Sequence, residues 1–505
     1  MKSKFLAAAV VLPASLCMFA GVNLLGAAPA AAATPLPAKC TPSLAGVPQI
    51  DVPMHPEWKT VYDFAWSNWK RLILVGTRMY NPCWIDEGFG AGGATWQWDT
   101  NFGTIGARWG YRQFPAIETQ ENFYFAQGAN GYIGQKLSES SESFKATSVN
   151  PPFYPWVEWE YYQITGDASR FTKVINGRTV IKHLRDHFYF FWNSSKYHRA
   201  DGTWVWSGID SGRDCVSAGS YVDLPAQLAT TAYYLAKMAD VAGETALRDD
   251  MLEKHRKLSE FLNARHWNPA AKFYQNLAST STFDLNQDGP QGLWTLIGRV
   301  PTAQQVADLL PALLDPNRLY RYHPVPSVSA ASPYYYAGCK WYGPTWPPDV
   351  ILTVKGLVAQ GQFDAAYEIA RRDVEKTTLT YLSNGGRLCE NYHADRDGCY
   401  GGSNLTWSSA AFVVSLLDVV FGLEPDAPHD GLLWTINLLE EHSVSQLSFG
   451  DNTVTLKSAA RATSDKGARL TVTTNSPFTL TVRVAGTTCT RSVQVGPTTF
   501  DCGQY

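Results

Sequence analysis

Between roughly Pro56 and Leu423 the apolar residues recur at intervals of three and four, and beyond Asp430 they recur at intervals of two. That change of period constrains the fold more than any other feature. A 3.6-residue period buries one stripe of a helix, whereas a two-residue period buries one face of a strand. Helices are expected over Leu224 to Val241, Glu244 to Leu262, Ala303 to Leu314, Val350 to Ala359 and Phe363 to Thr377. Thr165-Gly-Asp167 and Gly361-Gln362 punctuate the pattern with short turns, so the segment reads as antiparallel helix pairs. Loops rich in Trp, Gly and Pro separate the pairs, and a rigid helical scaffold carries function on such loops. After Glu424-Pro-Asp-Ala-Pro-His-Asp430 come alternating runs such as Leu470-Thr-Val-Thr-Thr-Asn and Phe478-Thr-Leu-Thr-Val-Arg-Val, the mark of a small antiparallel β domain. The expected organisation is a mainly helical domain over 34–425 and a β-sandwich-like domain over 426–505.

Lys2 and Lys4 precede an apolar run from Phe5 to about Leu25, and Ala27 to Ala33 offers small-residue cleavage positions, so residues 1–33 read as a secretory signal peptide. No later run has the length and apolarity of a membrane span. The mature chain is therefore expected outside the cell, with no membrane association once the signal is removed. Removing the signal also removes Cys17 and leaves Cys40, Cys83, Cys215, Cys339, Cys389, Cys399, Cys489 and Cys502, an even set that favours disulfides in an exported protein. Cys389/Cys399 and Cys489/Cys502 are the natural local pairs. The remaining 40 basic and 45 acidic side chains make the mature chain slightly acidic, which argues against capture of nucleic acid. With 18 Trp and 25 Tyr, many beside Gly, Pro and Asp, it is unusually rich in flat rings that stack on the apolar faces of sugars.

Two acids stand out against this aromatic background. Asp210 lies in Trp204-Val-Trp-Ser-Gly-Ile-Asp210-Ser-Gly-Arg213, and Glu390 lies in a short loop bracketed by Cys389 and Cys399. Separated carboxyl groups in aromatic loops suit cleavage of a sugar acetal, where one protonates the leaving oxygen and the other handles water. Asp99, between Trp96 and Trp98 and the turn that follows, has the chemistry to grip sugar hydroxyls, or to cap a helix N-terminus. Trp346 in Gly-Pro-Thr-Trp-Pro-Pro348 reads as a pocket floor or as core. Trp206, Arg213 and Tyr392 complete the candidate sugar-binding set. For Asp210 the alternative is a turn cap. For Glu390 it is an ion pair with Arg387, and Glu158 and Glu160, in an aromatic helix, are read either as reaching the site or, more often for such residues, as buried hydrogen-bond partners.

In order along the chain, Trp98-Asp99, Trp156-Val-Glu-Trp-Glu160 before Thr-Gly-Asp167, Ser207-Gly-Ile-Asp210, Tyr342-Gly-Pro-Thr-Trp-Pro-Pro348 and Glu390-Asn-Tyr392 ahead of Gly401-Gly resemble glycoside hydrolase family 63. They are most similar to its mannosylglycerate-hydrolase-like members, relatives of trehalases, over about residues 56–423. The resemblance implies an (α/α)6 toroid, an inverting mechanism on a terminal α-glucoside or α-mannoside, Asp210 as general acid and Glu390 as general base. It requires no cofactor and no metal. The acid role calls for a carboxyl that holds its proton, which Trp204 and Trp206 favour by desolvation and Arg213 opposes. The chain departs from relatives at Ser211-Gly-Arg-Asp214 and at Asp349-Val350, both in sugar-contacting loops. Trehalase-type specificity, a polysaccharide lyase on a related toroid and a non-catalytic carbohydrate-binding protein are the competing readings.

Three further motifs point elsewhere. Gly88-Phe-Gly-Ala-Gly-Gly93 matches a dinucleotide fingerprint, but Trp-Gln-Trp-Asp follows it in place of a β-α-β unit. Asp284-Leu-Asn-Gln-Asp-Gly289 matches the first half of a calcium loop and has Thr295 where the closing Glu belongs. His183 and His187 sit one helical turn apart without a third ligand segment. No serine-hydrolase elbow is present.

Overall fold

In the computed structural model, which describes residues 37–89, 93–139 and 145–505, the three-and-four spacing becomes helix wherever the sequence marks it. The signal-peptide reading and Gly90 to Gly92 of the glycine-rich motif lie outside these residues. The helices are α1 (Pro56–Leu72), α2 (Gln97–Ala107), α3 (Ala116–Phe125), α4 (Tyr154–Thr165), the single turn α5 (Ser169–Thr172), α6 (Val180–Trp192), α7 (Asp223–Val241), α8 (Thr245–Arg265), α9 (Ala303–Leu313), α10 (Pro347–Ala359), α11 (Phe363–Ser383) and α12 (Thr406–Val413). Gly166, at φ 72°, ends α4 where Thr165-Gly-Asp167 forecast a stop, because the left-handed C-cap suits a residue without Cβ.

Burial divides the helices into two sets. Every residue of α2 and of α12 is buried, whereas α8 buries only Met251, Leu258 and Leu262. A helix buried all round is enclosed by other elements, and a helix buried along one stripe faces water. The enclosed elements pack on one another in a closed circuit: α12 on α2, α2 on α4, α4 on α7, α7 on the 3-10 segment Pro290–Leu296, that segment on α10, and α10 back on α12. The chain alternates between this inner circuit and the outer helices. Gly106 permits the close α2–α12 approach, since a Cβ there would stand 2.7 Å from Ala410 Cα. Beyond α12 the backbone widens into a π-helix, Val414–Val420, which carries Asp418 inward. Asp418 bonds to Arg108 at 2.6 Å and to Lys355 at 2.9 Å, and Glu160 bonds to the same two cations at 3.2 and 2.9 Å. This two-plus, two-minus cluster ties together α4, α10 and the chain ends of α2 and α12. Removing one member would leave a buried charge uncompensated, a loss of roughly 3–5 kcal/mol.

The C-terminal region forms two sheets. One has five antiparallel strands in the order Gln49–Asp51, His442–Phe449, Asn452–Ser458, Ala468–Thr474 and Gly496–Cys502. The other orders Leu423–Asp426, Gly431–Thr435, Phe478–Val484 and Thr487–Val493, with a parallel pairing between its two middle strands. Ala468, Leu470 and Val472, and likewise Phe478, Leu480 and Val482, alternate inward to the common core, as the two-residue period requires. Two strands, 49–51 and 423–426, join these sheets from outside 426–505. Disulfides connect Cys40 to Cys83, Cys215 to Cys339, Cys389 to Cys399 and Cys489 to Cys502. No helix among the described residues is long and apolar enough to cross a membrane.

Candidate active site

At the N-terminal ends of α2, α10 and α12 a cavity of about 340 Å³ opens among the loops. Trp98 and Asp99 enter it from the first turn of α2, Trp346 caps the start of α10, and Trp407 begins α12. Pro347 and Pro348 fix that start, since proline at the first helical positions has no hydrogen bond to lose. Trp341 and Trp346 stack face to face, 3.9 Å between centroids, and the Trp407 ring stands edge-on to Trp346 at 5.8 Å. Trp98 packs at 6.0 Å from Trp341, with Trp96 and Phe89 also lining the cavity. The indole N–H groups of Trp98, Trp341 and Trp407 and Oδ1 of Asp99 are buried without a hydrogen-bond partner among the described residues. Flat indole faces of this kind stack on the apolar faces of sugar rings.

Glu390 reaches the same cavity from a hairpin, Cys389–Tyr392 paired with Cys399–Ser403 and closed by the Cys389–Cys399 disulfide. The register slips between Cys389 and Asn391, so Glu390 occupies a β-bulge, a device that re-aims a side chain out of the ladder. Gly402 N–H donates to its Oε2. Gly401 sits at φ 69° directly beneath the carboxylate, leaving it the room a Cβ would fill. Burial, reinforced by the charge of Glu390, pushes the Asp99 carboxyl up to about 8. Behind it Glu87 is pushed up to about 9 by burial and by the charges of Asp86 and Asp99. Crowded carboxyl groups away from water keep protons that exposed ones release. On the far wall Asp214 pairs with Lys340 at 2.7 Å, immediately beside the Cys215–Cys339 disulfide.

Residues 93–408 match the model of the mannosylglycerate hydrolase MGH1-like glycoside hydrolase domain, a span that includes every carboxylate of the cavity. The chain belongs to this glycoside hydrolase family. An uncharacterized protein of Borreliella burgdorferi is 21% identical over 373 residues, covering 68% of this chain and 75% of that protein. Among solved structures, the GH63 mannosylglycerate hydrolase of Thermus thermophilus in complex with glucose is similar with a TM-score of 0.54 and 16% identity, over 70% of this chain and 99% of that one. The neutral trehalase of Saccharomyces cerevisiae is similar with a TM-score of 0.51 and 13% identity, over 64% of this chain and 71% of that one. At these identities the two structures speak for a shared six-hairpin glycosidase fold.

Of the residues singled out in the sequence of this glycoside hydrolase, Trp96, Trp98, Asp99, Trp346 and Glu390 line the cavity together. Asp99 is not the helix cap, a position held by Trp96. Asp210 does not line the cavity, although Gly212, two residues on, does. Its segment Gly208–Ser211 is a single 3-10 turn, and the buried carboxylate accepts bonds from Val149 N at 3.1 Å, Lys196 Nζ at 2.8 Å and the Tyr197 hydroxyl at 2.9 Å. Trp206, Arg213 and Tyr392 lie behind the walls. Trp206 donates to Asp223 at 2.8 Å, the Arg213 guanidinium bonds to Ser327 O and lies 5.8 Å over Trp341, and Tyr392 stacks on His323. Glu158 is bound by Arg170 and Tyr124 in the interior, away from the cavity. The sequence reading missed Gln135, Asn150, Lys340, Trp341 and Trp407, and gave Asp214 no role beyond a place in a sugar-contacting loop. Trp341 alone carried a usable signal, five residues before Trp346 in one proline-rich loop. The histidine pair is structural, His183 bonding to Gln127 and to Ile175 O, and Asp288 of the calcium-like loop is taken by Arg318. Among the described residues no cluster of three His, Cys, Asp or Glu is placed to hold a metal.

Proposed function

We propose that this glycoside hydrolase cleaves a terminal α-linked glucoside or mannoside with inversion, on a closed (α/α)6 toroid, and that it acts outside the cell. The observation that carries the reading is Glu390, aimed by a β-bulge into a tryptophan-lined cavity. In this mechanism Gly402 N–H fixes one Glu390 oxygen, and the other takes a proton from the water that attacks the anomeric carbon. Asp210 gives its proton to the departing glycosidic oxygen on the opposite face of an oxocarbenium-like transition state. Exchange of its Lys196 and Tyr197 bonds for the leaving group turns Asp210 into the cavity beside Gly212. The circuit of six inner elements supports the toroid, and the match to the mannosylglycerate hydrolase domain supports the sugar class. The disulfides, together with the leader read in residues 1–33, support export.

A second assignment of the acid has one observation in its favour: Asp99 lines the cavity and, with its carboxyl raised to about 8, carries a proton at neutral pH. Purified mature protein and its D210N, E390Q and D99N variants, screened on α-linked disaccharides that include trehalose and mannosylglycerate, separate the two. Loss of turnover by several orders of magnitude in D210N and E390Q, with unchanged unfolding temperatures, is expected, because each change removes proton transfer and nearly preserves shape. Near-normal turnover in D210N with none in D99N would move the acid to Asp99. Release of products absorbing in the ultraviolet would identify a lyase.

A further inference from the structure

The inner helices that begin at the sugar cavity end at a second one. From Trp98 to Arg108 the chain of α2 advances roughly 15 Å, at about 1.5 Å per residue. At that far end a cavity of about 170 Å³ lies among Arg108, Glu160, Lys237, Arg299, Lys355 and Glu424. Trp346 at the start of α10 belongs to the first cavity, and Lys355 near the end of α10 belongs to the second.

The charges of the second cavity do not balance. Arg108 and Lys355 are neutralised by Asp418 and Glu160 in the buried cluster described above. Lys237 and Arg299 form no ion pair with any carboxylate among the described residues. The Lys237 ammonium instead sits 4.1 Å over the Trp159 ring, and the Arg299 guanidinium lies 5.9 Å over Tyr233. Cation–π contact attracts a charge without neutralising it. Burial, and then the charge of Arg299, pushes the Lys237 ammonium down from its ordinary range against the weaker pull of Glu160 and Asp426, so the two cations repel each other across the cavity. Glu424 supplies the one further carboxyl on the wall, 3.7 Å from Arg483, and burial pushes that carboxyl up. Lys237 and Arg299 therefore remain two cations that no carboxylate on the wall pairs with, the complement of an oxyanion whose two oxygens can meet both. An oxyanion between Lys237 and Arg299 relieves their repulsion through two charge-assisted hydrogen bonds.

We propose that this cavity is a second ligand site, distinct from the sugar cavity, which binds a small organic carboxylate between Lys237 and Arg299. The site does not depend on the catalytic assignments. The test is a tryptophan-fluorescence titration of the full mature chain with sodium acetate, read against sodium chloride at equal ionic strength, since the occupied site changes the field on Trp159. A saturable change with acetate and none with chloride is expected. Lys237→Gln and Arg299→Gln should each weaken acetate binding tenfold or more, and Arg299→Lys, which keeps the charge at an exposed position, should retain most of it. Lys340→Gln, in the sugar cavity, should leave the titration unchanged. Absence of saturable binding, or loss of binding in Lys340→Gln with Arg299→Gln unaffected, would overturn the site. Tighter binding of inorganic phosphate than of acetate would overturn its assignment to a carboxylate.

Discussion

Gly401→Ala should disable the enzyme while leaving it folded, and the structure sets the size of the effect. The residue has φ 69°, a region where a side chain costs about 1–2 kcal/mol. A Cβ built there stands 2.7 Å from Glu390 Cδ and nearer still to Oε2, whereas ordinary contact begins at 3.4 Å. The carboxyl group must retreat by at least about 0.7 Å, breaking its bond from Gly402 N–H. Displacement of a catalytic group by about 1 Å costs roughly 100-fold in rate, so turnover should fall between about 10- and 100-fold. The unfolding temperature should drop by only a few degrees, because the strain is confined to one exposed residue. Gly402→Ala is the internal control: its φ is ordinary, its N–H is kept, and its Cβ would meet Oε2 at 3.3 Å, close to normal contact. The assay is kcat and KM for both variants on the best glycoside from the substrate panel, with thermal unfolding in parallel. Wild-type turnover in Gly401→Ala, or equal losses in the two variants, would refute the argument that this turn exists to seat Glu390.

Asp99 and Glu87 also make stability depend on pH. A carboxyl whose pKa is raised by folding, here to about 8 and about 9, contributes stability at low pH that is lost as pH rises through the folded value. The unfolding temperature of the wild type should therefore fall between about pH 5 and 8 more steeply than that of Asp99→Asn, and parallel curves would show that Asp99 does not hold its proton. Reduction should impair activity before it melts the helices, because Cys389–Cys399 closes the Glu390 hairpin and Cys215–Cys339 joins the segment after Asp210 to the Trp341 loop. Activity and helical circular dichroism followed together through a reductant titration decide this, and coincident loss of the two would contradict it.

The helices were legible because burial leaves a periodic trace. Ala303, Phe363 and Val241 end or begin helices where the spacing changes, and Phe478 to Val484 alternates along its whole strand. The three-residue strand Gln49–Asp51 is too short to show a period, and its place beside Ser443 to Ser445 is set by a partner almost the whole chain away. The same limit applied to the site. Trp98, Asp99, Trp346 and Glu390 stood out as aromatic or acidic residues in unusual loops, but Gln135, Asn150 and Lys340 come from irregular segments whose composition is unremarkable for loops. Local sequence also does not say where a side chain turns. The Asp210 carboxylate takes its direction from Val149, Lys196 and Tyr197, and the proximity of Val149 to it is a property of the tertiary fold. The bulge that aims Glu390 depends on pairing with Tyr400 and Ser403, which the residue sequence alone does not register.

The stereochemistry of the first product tests the central claim most directly, because it reports the path of water without assuming which residue is the acid. If Glu390 activates water on the face opposite the leaving group, an α-linked substrate must release the β-anomer first. Proton NMR of the reaction, recorded before mutarotation equilibrates the anomers, should show the β-anomer of the released sugar in excess from the earliest spectra. An initial excess of the α-anomer would contradict the account and would recast Glu390 as a nucleophile forming a covalent intermediate.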